Sequence, residues 1–591
     1  MSDDAISPYT LSDDDATDDA APSGADGDDA DEGGTSGAGR RHAFWADQIA
    51  DVVEARDSTD PIVVKGGISP SGVPHLGNMN EVMRGYFVAE VLRERGHEVR
   101  QVFTSDDRDP LRKLPRKLAN LDGDLVDLGD VDAGALGRNL GHPYTAIPDP
   151  FGCCDSYGAH FSTLIQSGAD ALGVPIELES NTALYENGEF EAVTRFVLEH
   201  VDEARDVLRE YQDKVDEDYV PFNPICAECG KVTETVTAIR ASEGEVDYEC
   251  TDMDAGDQVI SGCGHEGTAT LREGKLPWRL EWPAQWQVLG VDFEPFGKDH
   301  AEGSWPSGED VARNLLGNEP PVPMVYEWFT LDGEPFSSSE GHVVLVDDVL
   351  DLLEPEVLRF FFAKNPKKAR DFPLSRLGQL VDEFDRFEAT YYGDVDATES
   401  ERERAERVYP FLVDRTDSSD HDAVEPGTAP ADADPDERPV RIPYTFAAVL
   451  GMFPDHEVRV EHAIKQGHLP EDPSDAVVDR AFERVDRART WASRMNNEYN
   501  YTVLEALPDV DFDADTEAAL DELAAFVDAG HDGEAIQGEI YETAKANGID
   551  IGAFFAAGYE LFFGQDEGPQ LGQFLGKLET EFVVQRLRRE A

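Results

Sequence analysis

The stretch that decides the fold is Lys65–Asn78, KGGISPSGVPHLGN. Ahead of it, Pro61–Lys65 (PIVVK) has the unbroken apolar character of a buried strand. Behind it, a helical pattern runs from about Glu81 to Gly96, and a second short strand is expected at Val99–Phe103. Strand, glycine-proline turn, helix and strand in close succession predict a parallel α/β nucleotide-binding unit. The turn suits phosphate for physical reasons. Glycines let the backbone approach a ligand closely, a helix start presents amide donors, and His75 and Asn78 add side-chain donors. Alone, His-x-Gly-Asn is as often a helix-capping turn. The whole PSGxxHxGN string after a buried strand is far more specific.

A chain of 591 residues is expected to hold two to four domains. No apolar run is long enough to span a bilayer, and no basic-then-apolar leader opens the chain, so a cytoplasmic protein is expected. There are 124 acidic residues against 50 basic ones, a net charge of −74, and the acids are spread through every segment. One reading is a protein that recruits cationic partners. The other is a surface adapted to multimolar salt, where screening removes the repulsion. Only 13 of the basic residues are lysine, with its long apolar stem, and this favours the second. Phosphate contacts must then come from a few local basic patches. Residues 1–39 carry 12 acids and no Lys or Arg, so 1–41 is read as a disordered tail, with order starting near His42. Helices dominate beyond about 345, around an acidic insertion at about 416–438. Six cysteines in close pairs point to metal rather than disulfides. Asp149, Cys153, Cys154 and His160 form one ligand set. Cys226, Cys229, Cys250 and Cys263 form another, with His265 a rival for the last places.

Several stretches resemble, in order, the class I lysyl-tRNA synthetases of archaeal type. His75–Asn78 resembles the family's HIGH motif. Ser105–Pro115 (SDDRDPLRKLP), Ile147–His160 (IPDPFGCCDSYGAH), Trp278–Pro283 (WRLEWP) and Val291–His300 (VDFEPFGKDH) follow, and the similarity reaches Phe582–Arg586. The resemblance implies an α/β, Rossmann-type catalytic domain over 42–345 with a zinc-bearing insertion at about 149–275. It further implies a connection over 346–390 that contacts the tRNA stem and an all-helical anticodon-binding domain over 391–591. The implied reaction is ATP-dependent activation of L-lysine to lysyl-adenylate and transfer to tRNA(Lys), with Mg²⁺ and two structural Zn²⁺ ions. The rivals are a non-catalytic tRNA-binding relative and a class I synthetase for another amino acid such as glutamate. Oligomeric state is not legible.

By the same resemblance, Pro70, Ser71, Gly72, His75, Gly77 and Asn78 bind ATP. So does a KMSKS-like loop, here Glu334–Gly341 (EPFSSSEG), through Ser337, Ser338, Ser339 and Gly341. His75, Asn78 and the three serines are the expected catalytic groups. Pro335 and Ser338 stand where the family has lysines, a loss of cations that ordinarily costs several kcal/mol of transition-state stabilisation. Either serine hydroxyls, backbone amides and Mg²⁺ compensate, or a potassium ion takes the place of the missing charge, or the protein is a catalytically feeble relative. For lysine, Gly67 and Ser69 are expected at the α-ammonium. Glu81 and Glu281, with Asp299 behind, are expected at the ε-ammonium, and Trp278, Trp282, His300 and Tyr326 form the walls. Trp278 and Trp282, four apart, read equally as core residues. Lys364, Lys367, Lys368 and Arg370 are expected to meet tRNA. Arg480, Arg484, Arg487 and Arg489 recur at helical spacing, either as an RNA-binding row or as a solvated face, and Arg586, Arg588 and Arg589 close the chain.

Overall fold

In the N-terminal half, a run of β-branched residues forms a central strand, β1 (Ile62–Ile68), whose first five residues are buried. The computed structural model describes residues 42–56, 59–213, 215–256, 258–336, 343–413 and 439–590. The acidic tail, the acidic insertion and Ser337–Gly341 lie outside the described residues.

β1 pairs in parallel with β2 (Val99–Ser105), from Ile62 opposite Val99 to Ile68 opposite Ser105. This register carries both strands a few residues beyond their expected ends. With β3 (Glu177–Ser180), β4 (Phe293–Gly297) and β5 (Val322–Tyr326) they form a five-stranded parallel sheet, ordered β5-β4-β1-β2-β3. In this doubly wound order the chain reverses direction across the sheet between β1 and β4, and such a switch point opens a crevice at the carboxyl ends of the strands. Helix α1 (Trp45–Glu54) buries Trp45, Ile49 and Val53. Helix α2 (Met79–Glu94) follows the turn after β1 and is buried along most of its length. Helix α3 (Tyr157–Ala171) is capped by Ser156, and α4 (Trp278–Leu289) ends at Gly290, whose φ of 65° suits a residue without a side chain.

Between β3 and α4 the chain forms a cysteine-bearing subdomain. Two helices, Glu191–Glu199 and Val201–Leu208, meet at His200. They share a core of Phe190, Val197, Leu208 and Tyr248 with a three-stranded antiparallel sheet.

The described residues fall into two compact units. One comprises 42–348, 359–372 and 398–413; the other comprises 349–358, 373–397 and 439–590. The second is helical, with helices such as Leu377–Tyr392, Asp475–Met495, Ala514–Asp528 and Ile551–Phe563 around a core that includes Leu520, Leu523, Ile540 and Phe562. Of the arginine row on Asp475–Met495, Arg480 is exposed, while Arg484, Arg487 and Arg489 bond within the unit. Arg484, 2% exposed, reaches Glu354 at 2.5 Å and Asp385 at 2.7 Å. Arg487 donates to the Leu350 carbonyl, and Arg489 to those of Tyr499 and Tyr501. Arg586 likewise donates to the carbonyls of Leu561 and Ala506. These guanidiniums hold the unit together. Replacing Arg484 with Met strands Glu354 and Asp385, and breaking a buried pair in this way costs about 3–5 kcal/mol. The expected outcome is a clearly lower unfolding midpoint for R484M in multimolar KCl; an unchanged midpoint would contradict the assignment.

Candidate functional site

At the switch point lies a cavity of about 230 Å³. Of the residues expected from sequence, Gly67, Ser69, Glu81, Trp278, Trp282 and His300 line it. Lys65, Thr104, Asp106, Asp109, Glu294 and Phe296, which sequence reading missed, line it too. Gly67 is required by space, since a Cβ there would sit 2.5 Å from Thr104 Oγ1. Its amide donates to Glu81 at 2.7 Å, and the Tyr326 hydroxyl donates to the other oxygen of Glu81 at 3.2 Å. Burial, and next the charge of Glu294, push the Glu81 carboxyl up to about 8.

The floor is ionic. Lys65 meets Glu294 at 2.7 Å with side-chain exposures of 2% and 3%, and the indole nitrogens of Trp282 and Trp286 also donate to Glu294. Lys275, on the strand returning from the cysteine-bearing subdomain, pairs with Glu281 at 2.7 Å and more closely with Asp109. Glu281 also accepts from the Tyr185 hydroxyl and is wholly buried, so it lies beneath the cavity with its charge already answered. Asp106 accepts from Asn181 and Gln285, and burial followed by the Glu281 charge raises its pKa. Around the crevice, Glu81, Asp106, Asp109, Glu281 and Glu294 face the two ammonium groups of Lys65 and Lys275. The site has carboxylates in surplus, so it suits a cation. Trp278 and Trp282 stack at 5.4 Å and 12°, with the His300 ring 6.2 and 5.5 Å away. Asp299 is half exposed and lies 3.9 Å from His300.

The Ser105–Pro115 stretch works as a latch. Asp107 accepts from Ser180 and from the Thr182 amide. Arg108 donates to the carbonyls of Gly274 and Arg272 and lies over the Tyr185 ring. The end of β2 is thereby tied to β3 and to the returning strand that carries Lys275.

Beside the crevice, His75 caps the 3-10 turn Leu76–Asn78. The Gly77 amide donates to His75 Nδ1 at 3.0 Å, and the His75 amide donates to Asn78 Oδ1 at 2.9 Å. Burial depresses the imidazole to about 4. It is therefore neutral, with its proton on Nε2, a donor that does not titrate near neutrality. Asn78 is engaged through its oxygen, which leaves its NH₂ as donor. Tyr157 donates to the Ser71 carbonyl at 2.9 Å, which fixes the Pro70–Gly72 loop, and the space above Gly72 is open. Phe336 stacks on His75 at 5.0 Å and 17°, and the Leu76 amide donates to the Val344 carbonyl. Both flanks of the serine loop thus touch the His75 turn, while Ser337, Ser338, Ser339 and Gly341 themselves lie outside the described residues.

Each cysteine set gathers its ligand atoms within 4.8 Å of one another. Sγ of Cys226 is 3.7 Å from Cys263 and Sγ of Cys229 is 3.6 Å from Cys250. Four sulfurs about 2.3 Å from a tetrahedral ion would be about 3.8 Å apart. The set closes with Cys250 and Cys263 rather than His265. In the other set, His160 Nδ1 lies 3.3 Å from Cys153 Sγ and 3.4 Å from Asp149, and Cys153 and Cys154 are 3.9 Å apart. The far nitrogen of His160 donates to the Ala119 carbonyl at 2.8 Å, which turns the Nδ1 lone pair toward the cluster.

Of the basic patch, Lys364 is buried with its ammonium 4.9 Å from the Phe360 ring, and its carbonyl accepts from Arg84. Lys367 and Lys368 are half-buried on the turn before Arg370–Phe372, a strand paired with Phe329–Leu331.

The family model described as tRNA synthetases class I (K) matches residues 43–413. A lysine–tRNA ligase of Halobacterium salinarum is 69% identical over 94% of this chain and 98% of its own length. That of Haloarcula marismortui is 64% identical over 94% and 98%, and that of Pyrococcus horikoshii 32% over 92% and 99%.

The titration of Glu81 is directly measurable. A difference infrared titration against Glu81→Gln is expected to show a protonated carboxyl lost near pH 8. Loss near the ordinary value of 4.5 would contradict the burial argument.

Proposed function

The chain belongs to the class I lysyl-tRNA synthetases and is a lysine–tRNA ligase, and from that premise we propose that its lysine occupies the switch-point crevice and the ATP triphosphate the His75 turn. The observation that carries the reading is Glu81, a cavity carboxyl held by an amide and a phenol. Lysine brings two ammonium groups and one carboxylate, a net cation for a crevice with surplus acid. Its ε-ammonium ionises Glu81, its stem lies against Trp278 and Trp282, and its α-ammonium sits by Gly67 and Ser69. A glutamate side chain would find no cation free of a carboxylate here, since Lys65 and Lys275 are both paired.

The lysine carboxylate attacks the α-phosphate of ATP in line, pyrophosphate leaves, and the terminal ribose hydroxyl of tRNA(Lys) then displaces AMP. Catalysis is positioning and charge stabilisation. His75 Nε2–H and the Asn78 NH₂ donate to phosphate oxygens, and the serines supply hydroxyls in place of the family's lysines. Mg²⁺, when bound to the triphosphate, supplies the remaining positive charge. Both cysteine sets fit Zn²⁺ in donor chemistry and spacing, and with four protein ligands each their role is structural. Lys367, Lys368 and Arg370 are assigned to the tRNA stem, and the helical unit to the anticodon.

Lysine-dependent exchange of pyrophosphate into ATP in multimolar KCl tests the reading; a folded sample without it would overturn the assignment. The pH dependence has a definite sign. Only ionised Glu81 attracts an ammonium, so the KM for lysine is expected to fall about tenfold per unit as pH rises toward about 8 and then level off. Glu81→Gln is expected to raise that KM by about 30-fold or more and to flatten its pH profile, leaving the KM for ATP unchanged. Elemental analysis is expected to give two zinc ions per chain, and one after Cys263→Ala; two in the variant would sink the four-sulfur assignment.

A further inference from the structure

The Asp149–His160 ligand set encloses a residue that phosphate and lysine binding leave idle. Asp149, Cys153 and Cys154 lie on the loop before helix α3, and His160 lies on the first turn of that helix. Tyr157 stands between them in the chain, and its ring is wholly buried. It stacks on Tyr144 at 5.8 Å and 24° and leans on Phe161 at 4.7 Å. Its amide donates to the Ile147 carbonyl at 2.8 Å, and its hydroxyl donates to the Ser71 carbonyl at 2.9 Å. Tyr144 in turn is hydrogen-bonded to Ser69. The Pro70–Gly72 loop therefore hangs from a helix end that the ligand set encloses.

That helix end is organised around the ligands. The amides of Phe151, Cys153 and Cys154 all donate to the Asp149 carboxylate. Ser156 caps the helix through the Ala159 amide at 3.1 Å. His160 is held from behind by the Ala119 carbonyl and by the Phe151 ring, stacked on it at 4.9 Å. Ligands on both sides of Ser156 and Tyr157 would let one ion clamp the loop to the first helical turn, where helices otherwise fray. Two observations separate this from plain packing. Phenylalanine would fill the same buried space, so what the hydroxyl adds is its bond. That bond also runs to a loop whose Ser71 is exposed and whose Gly72 faces open space, the side from which a ligand arrives.

We propose that Tyr157 is a positioning residue for ATP, and that the ion held by Asp149, Cys153, Cys154 and His160 sets its pose, so that metal occupancy there controls ATP affinity through the Ser71 carbonyl. The inference rests on ATP occupying the His75 turn. The links run in series, from ligand set to helix turn, to phenol, to loop, so their losses do not add.

The test uses the full chain in multimolar KCl and reads zinc content, amide hydrogen exchange over residues 69–73, and the KM for each substrate in pyrophosphate exchange. Tyr157→Phe is expected to keep both zinc ions, to speed loop exchange and to raise the KM for ATP about fivefold, the worth of one hydrogen bond. The KM for lysine is expected to stay unchanged, a split that general loosening of the core would not give. Cys153→Ser is expected to lose one zinc ion and to show the same two changes, and the double variant to go no further. Asp149→Asn, which retains an oxygen for the loop amides, is a second route to metal loss. Unchanged loop exchange after metal loss, or additive effects in the double variant, overturns the coupling. Faster loop exchange with an unchanged KM for ATP overturns the proposal at its premise, the seat of ATP.

Discussion

Lys65 and Glu294 meet at 2.7 Å on the adjacent strands β1 and β4, with both side chains almost wholly out of water. The switch point brings carboxylates together at the ends of parallel strands, and leaving them unanswered would cost several kcal/mol each. The lysine answers one, two indoles complete its shell, and those indoles then stand as the crevice wall. Lys275 answers two more from the opposite side, at the end of the strand returning from the cysteine-bearing subdomain. What is left over, Glu81 and Asp106, is left over in the cavity, where burial raises the pKa of both carboxyls. The surplus of carboxyl groups in the crevice is therefore a remainder of the folding electrostatics.

That arrangement also suits the chain's setting. An acid excess spread over the surface is held by screening, and surface ion pairs are weak under the same screening. Pairs sealed in the interior are screened much less. The Lys65–Glu294 and Lys275–Glu281 pairs, the Arg484–Glu354 pair and Arg586 all sit where salt has little access. Three of the scarce lysines, Lys65, Lys275 and Lys364, are buried in the same way.

Legibility in the sequence followed sequence distance. The His75 turn, the cysteine sets and Trp278–Trp282 are local patterns, and each lies together in space as its spacing suggested. Glu81 was legible because it lies one helical turn past the turn that carries His75. Lys65 and Glu294 are 229 residues apart, and Lys275 and Asp109 are 166 apart; only the strand order joins them. One signal was available: a lysine inside an apolar strand, in a chain that avoids lysine, marks a buried carboxylate nearby. The arginine row was ambiguous for a different reason. Helical spacing fixes a face but not its direction, and Glu354 and Asp385, far away in the chain, draw Arg484 inward.

The returning strand that carries Lys275 has a consequence for descent. Its ammonium balances Asp109 in the crevice wall and Glu281 beneath it, while its strand pairs with Asn223 and Pro224 of the cysteine-bearing subdomain. A lineage drifting toward a different amino acid would have to alter the crevice charges. Removing Lys275 would leave Asp109 and the buried Glu281 without their common cation. The charge balance of the crevice is in this sense tied to the architecture.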